Sequence, residues 1–154
     1  MSLRLLVAVQ SIALAITPVF AKQTCSTPPG GTVSGSITRY VDGDTFDSGR
    51  DRIRPWGINA PERGEFGFDQ ATQTLRSLTS GRALSCTVKY LDNTQSHRCV
   101  AVCSIAGVGD LGEAMLRSGW VKVHRRYVDE DPSLRVKYEA AEKESRDARR
   151  GLWQ

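Results

Sequence analysis

Carboxylates and guanidiniums lie close together in three short stretches of this chain: Val41-Asp42-Gly43-Asp44-Thr45, Arg54-Pro55-Trp56-Gly57-Ile58-Asn59-Ala60-Pro61-Glu62 and His97-Arg98-Cys99-Val100-Ala101. Such a mixture suits attack of water on a phosphodiester. Negative charge builds on the phosphoryl oxygens, where paired guanidinium bonds or a divalent cation lower the barrier. The cation needs hard oxygen ligands, and a carboxylate must orient or deprotonate the water. Plainer roles exist for each part. Asp42-Gly43-Asp44 also reads as a hairpin turn, Arg54 as half of a surface ion pair, and Glu62 as a charge at a helix start. His97 and His124 are read as solvated loop residues rather than bases. Arg125-Arg126, beside Tyr127, mixes charge with an aromatic as single-strand contacts do.

These stretches need a scaffold that brings strand ends together. Ser36 to Val41, Thr45-Phe46 and Arg52 to Ile58 read as three strands, the first two joined by a tight Asp42-Gly43 turn. Phe68, Ala71, Leu75 and Leu78 then fall at helical spacing, closed by Ser80-Gly81. Leu84 to Leu91 and Arg98 to Ile105 form a hairpin about a polar tip, Asn93 to Ser96. Three strands, a helix and two strands is the order of a five-stranded OB-type Greek-key barrel. A second helix starts at Asp110 and stops at Ser118-Gly119, and a third runs from Asp131-Pro132 to Gly151, with Leu134, Tyr138, Ala141 and Ala148 as its buried stripe. The expected class is α+β, mainly β, with three helices.

Residues 1–21 read as a signal peptide: Arg4, an apolar run interrupted by Gln10, Ser11 and Pro18, and a cut after Ala21. Export to a periplasm or the medium is therefore expected, with no membrane anchor. Of 21 basic residues only Arg4 lies in that segment, and none of the 17 acids, so the remainder carries +3 where the whole chain carries +4. This mild basicity suits a polyanion but does not demand one. Residues 22–35, rich in Thr, Ser, Pro and Gly, read as a flexible leading segment, and residues 36–154 as one domain. An oxidising compartment favours disulfides. If the hairpin tip is central, facing residues have numbers summing to 189, which sets Cys86 opposite Cys103. Cys25 and Cys99 then pair with each other or stay free.

Taken together, Asp42-Gly43-Asp44-Thr45, Arg54 five residues before Asn59, Pro61-Glu62, Arg98 ahead of Val100-Ala101-Val102, the Leu111 to Val123 segment and Gly151-Leu152-Trp153 resemble the staphylococcal nuclease, or thermonuclease, family. The resemblance runs from about Ile37 to Trp153. It implies a monomeric, calcium-dependent nuclease that acts on single-stranded or frayed DNA or RNA and leaves 3′-phosphates. Asp44 takes the place of a metal-binding aspartate, with Asp42 acting through water, and Asn59 and the Ala60 backbone carbonyl take the places of the remaining protein ligands. Glu62 matches the glutamate that activates water, and Arg54 and Arg98 match the arginines that grip the phosphate. Tyr127 matches a tyrosine near the bound nucleotide.

Two departures stand out. Thr94-Gln95-Ser96-His97 replaces the family's acidic, basic and Tyr-Gly residues before the second arginine. Asn59 replaces an aspartate, so the site loses a charge. Unit charges 4 Å apart interact by about 4 kcal/mol at an effective dielectric of about 20. Since 1.4 kcal/mol is about tenfold in affinity, calcium is expected to bind at least about tenfold more weakly. The competing expectation is an OB-type binding module that kept its phosphate grip and lost turnover. A secreted accessory protein of envelope assembly has no support beyond export.

Overall fold

The computed structural model describes residues 24–92 and 97–154. The expected signal peptide and the hairpin tip, residues 93–96, lie outside the described residues. The first strand, β1 (Thr32–Gly35), falls inside the segment expected to be a flexible lead, so ordered structure begins earlier than residue 36. It is an edge strand, its Val33 facing the core, and it pairs with β6 (Leu84–Leu91). That partner is remote in sequence, which explains why the local composition hides it.

Strands β2 (Arg39–Asp42), β3 (Thr45–Ser48) and β4 (Asp51–Pro55) form an antiparallel meander. The third expected strand is shorter than its sequence reading. It breaks at Trp56-Gly57 and resumes as β5 (Ile58–Asn59). Gly57 sits at φ 78°, and a Cβ there would lie 2.7 Å from the Tyr138 ring, so the turn requires glycine twice over. Helix α1 (Phe68–Thr79) buries Ala71 and Leu75, as its spacing predicts.

The hairpin of β6 and β7 (Cys99–Ile105) follows the expected register from Leu84↔Ile105 to Val88↔Ala101. A bulge at Lys89 then shifts the pairing to Tyr90↔Val100 and Leu91↔Cys99. In consequence Asp92 and Arg98 face each other, and Asp92 N–H donates to the Arg98 carbonyl at 2.8 Å. Strand β7 is also parallel to β4, with Arg54 beside Val100. The sheet order is β1-β6-β7-β4-β3-β2, and β8 (Gly109–Asp110) adds to β7. Two strands meeting in parallel at the centre place Arg54 and Arg98 at the same end of the sheet.

Beyond the sheet, α2 (Leu111–Ser118) is capped by Asp110, whose carboxylate accepts from Glu113 N–H. A small ladder pairs β5 with β9 (Lys122–Val123), setting Asn59 opposite Lys122. A short helix absent from the sequence reading, α3 (Arg125–Val128), precedes α4 (Pro132–Asp147). The buried stripe of α4 is Tyr138, Ala141, Glu142 and Ser145, and Ala148 is exposed rather than buried. Glu142 is buried because its carboxylate accepts from Val123 N–H at 2.8 Å and pairs with Arg146. The fold is thus a mainly β, α+β domain of the OB type, with more strands than the five expected. Phe46, Ile53, Val88, Val100, Leu111 and Met115 form part of its core.

Both cysteine pairs converge on β7. Cys86–Cys103 crosses the hairpin as the register predicts. Cys25–Cys99 settles the choice left open by the sequence. The segment around Cys25 is further held by Cys25 N–H to the His97 carbonyl at 2.7 Å and by Asp51, whose carboxylate accepts from Ser26 N–H and Oγ and from Thr27 Oγ1.

Candidate active site

The turn after β2 and the bend after β4 meet at a buried carboxylate. Asp44 Oδ2 accepts from Ala60 N–H at 2.7 Å and lies 3.4 Å from Arg54 Nη2. Arg54 is buried too, and its fork reaches two more acceptors, the Ile58 carbonyl at 3.1 Å and Asn59 Oδ1 at 3.2 Å. The approach is close because Gly43 lacks a side chain: a Cβ there would meet those of Ala71 at 2.5 Å and Ala60 at 2.8 Å. Gly43 therefore does more than turn the chain. It lets α1 and the Asn59-Ala60 segment close around Asp44.

Asp42 stands beside this centre, its Oδ1 accepting from Asp44 N–H at 3.0 Å. Burial and the neighbouring Asp44 charge raise the Asp42 carboxyl above its ordinary range. Glu62 is exposed just beyond β5, in a turn where Glu65 N–H donates to the Glu62 carbonyl. Its carboxylate makes no hydrogen bond or ion pair among the described residues, so it is available to water.

Arg98 reaches the site from the start of β7. Its Nε and Nη2 donate to Asp92 Oδ2 at 3.0 and 2.7 Å, and its Nη1 lies 3.4 Å from Thr45 Oγ1. Thr45 Oγ1 is in turn 3.3 Å from Asp44 Oδ1. One hydroxyl thereby joins the Arg98 end to the Asp44 end. Asp92, buried and holding two Arg98 donors on one oxygen, is the residue that sequence reasoning missed. The summed-number register points Arg98 at Leu91, and only the bulge at Lys89 brings Asp92 opposite.

The ring of Tyr127 lies against this centre, with Arg54 Cζ 5.4 Å from its centroid. Tyr127 stacks on His124 at 4.1 Å and meets Tyr90 edge-on at 5.8 Å. These rings, with Leu91, Asp92 and Arg126, line an open cavity of about 550 Å³. Burial, then the Arg54 charge, lowers the His124 pKa below its ordinary value. The structure divides the Arg125-Arg126 pair. Arg126 lines the cavity, whereas Arg125 turns to α4 and pairs with Glu139 at 2.6 Å and Glu142 at 3.4 Å. Its guanidinium pairs with α4 while the side chain stays largely exposed.

Oxygen donors suited to a hard cation converge here. Asp44 comes from the turn after β2, the Asn59 amide oxygen and the Ala60 carbonyl from the end of β5, where Asn59 Nδ2 lies 3.5 Å from the Ala60 oxygen and Ala60 N–H meets Asp44. A carboxylate, an amide oxygen and a backbone carbonyl, with the Asp42 carboxylate next to them, are the hard oxygen donors that calcium takes, so the donor set fits calcium chemically. Elsewhere, Cys25, Asp51 and Cys99 bring three ligand-type atoms within 4.8 Å, but the two sulfurs are bonded to each other and offer no thiolate. Among the described residues no helix is long and apolar enough to cross a membrane.

Residues 52–154 match the family described as Staphylococcal nuclease homologue. The chain is 30% identical over 125 residues to an uncharacterized endonuclease of Escherichia coli O157:H7, covering 79% of this chain and 77% of that protein. It is 27% identical over 158 residues to a micrococcal nuclease of Shigella flexneri, covering 96% and 86% respectively.

Proposed function

The chain belongs to the staphylococcal nuclease family and is a nuclease, and from that premise we propose that it hydrolyses single-stranded or frayed DNA or RNA at the Asp44–Arg54–Arg98 centre after export from the cell. The observation that carries this reading is the buried Arg54 fork, shared between Asp44, Asn59 and the Ile58 carbonyl, with an unengaged Glu62 three residues beyond Asn59. Glu62 orients a water and takes its proton as the water oxygen bonds to phosphorus. The P–O5′ bond breaks, the 5′-oxygen leaves as a hydroxyl with a proton from solvent, and the other product keeps a 3′-phosphate. Arg54 and Arg98 hold the phosphoryl oxygens, Arg98 by exchanging part of its Asp92 pairing for phosphate. Tyr127 and Arg126 carry the neighbouring nucleotide.

Asp44, the Asn59 amide oxygen and the Ala60 carbonyl would hold calcium, with Asp42 acting through water. When bound, calcium supplies positive charge to the phosphoryl oxygens and acidifies water. The uncharged Asn59 makes that binding weak, yet extracellular calcium modules commonly work at roughly 0.1–1 mM. The test is cleavage of single-stranded and duplex substrates across a calcium titration, with Glu62→Gln alongside and product ends mapped. A loss of about 10²–10⁴-fold on Glu62→Gln, with 3′-phosphate products, is expected. Activity within tenfold of wild type in that variant overturns the role of Glu62. N-terminal sequencing of protein recovered outside the cytoplasm should begin at Lys22.

A further inference from the structure

A second cavity of about 500 Å³ is lined by Asn59, Ala60, Pro61, Glu65, Phe66, Lys122 and Leu152, and shares no lining residue with the Tyr127 cavity. It shares Asn59 and Ala60 with the centre just described. Phe66 is 66% exposed, unusual for a phenylalanine, and among the described residues only Leu91 and Val136 are other exposed large apolar side chains. Leu91 lines the Tyr127 cavity. Two separate cavities next to the phosphate centre thus each carry an exposed apolar side chain and a cation, Leu91 with Arg126 in one and Phe66 with Lys122 in the other.

Phe66 is a held platform. Its ring lies 6.0 Å from that of Trp120 at a 56° tilt, and it precedes Gly67, the residue that caps α1. Lys122 is placed by the β5–β9 ladder directly opposite Asn59, and its Nζ lies 5.3 Å from the Trp153 ring. Glu65, the acid in the lining, accepts from Glu62 N–H at 2.8 Å.

We propose that Phe66 and Lys122 form a second nucleotide subsite, in which an unpaired base stacks on Phe66 while Lys122 meets the phosphate beyond it. The occupant follows from continuity: a strand whose scissile phosphate lies at Arg54 and Arg98 must leave the site on both sides, and this cavity is contiguous with Asn59 and Ala60. A base in a duplex presents only its edges, so a stacking site selects single-stranded or frayed substrate. The inference rests on the proposed phosphate centre and adds the second half of its substrate path.

The test measures binding of single-stranded oligonucleotides to full-length Glu62→Gln protein, with and without Phe66→Ala or Phe66→Trp. The oligonucleotides are intact or carry one abasic nucleotide at successive positions. Base stacking on an aromatic platform corresponds to roughly tenfold in affinity. Phe66→Ala should weaken binding of the intact strand about tenfold, Phe66→Trp should restore it, and one abasic position should weaken the Phe66 protein but not the Phe66→Ala protein. Equal affinity of Phe66→Ala and its parent overturns the subsite. So does an equal loss for intact and abasic strands, which would mark a purely structural role. The phosphate centre is tested separately: full cleavage by Glu62→Gln would sink that reading, whereas a silent Phe66→Ala sinks only this one.

Discussion

Asn59 gives Arg54 an acceptor where a charged ligand would compete for it. Its Oδ1 receives the guanidinium at 3.2 Å, beside the Asp44 carboxylate that bridges Arg54 and Ala60 N–H. Asn59→Asp restores one charge to the donor set, so half-maximal activity should come at about tenfold lower calcium, read from cleavage rates across a titration. No shift would mean that Asn59 is not a ligand. Arg98 makes a different demand, because it divides its fork between Asp92 and Thr45. Arg98→Lys keeps the charge and loses the fork, and turnover should fall on the order of 10²-fold with the fold intact by circular dichroism.

Among the elements, the bulge at Lys89 joins two parts of the protein. It brings Asp92 opposite Arg98 and turns Lys89 toward the start of α4, where its Nζ meets Asp131 at 2.8 Å. Hydrogen bonds from Lys89, Ser133 and Leu134 N–H lower the Asp131 pKa to about 2. A carboxylate depressed in the folded state stabilises above its unfolded value of about 4 and loses that contribution as pH falls toward 2. Asp131→Asn still caps the helix but loses the ion pair. Its melting temperature should therefore lie below wild type at pH 7 and converge with it near pH 2. The hairpin itself was legible, since the 189 register holds from Leu84 to Val88 and fixes Cys86 on Cys103. The bulge was not, because it arises where Lys89 leaves the ladder for a residue 42 positions away. Strand β1 was hidden for a similar reason: Thr32–Gly35 has a loop's composition and becomes a strand only against β6. The grouping of Asp44, Arg54, Asn59 and Ala60 was expected from the family resemblance and not from spacing alone, whereas the separation of Arg126 from Arg125 depends on where Glu139 and Glu142 of α4 come to lie.

Across the whole molecule, excess positive charge acts through the few cations that face the strand. Binding to single strands should weaken with salt by about 0.7 in log–log slope per phosphate contact. Arg126→Ala should lower that slope by about this amount, and Arg125→Ala should leave it unchanged, since Arg125 is engaged with α4; equal slopes in both would erase the distinction. The two disulfides meet the same strand with very different loop lengths, 17 residues for Cys86–Cys103 and 74 for Cys25–Cys99. Loop-closure entropy favours the shorter by about ninefold in effective concentration. During oxidative refolding, trapping free thiols should find Cys86–Cys103 formed first and Cys25–Cys99 second. The second bond anchors Cys99, next to Arg98, and brings Cys25 N–H to the His97 carbonyl on the other side. Cleavage is expected to appear with that later bond, so the chain's own order of oxidation acts as a clock that keeps an unfinished nuclease silent until its last covalent step.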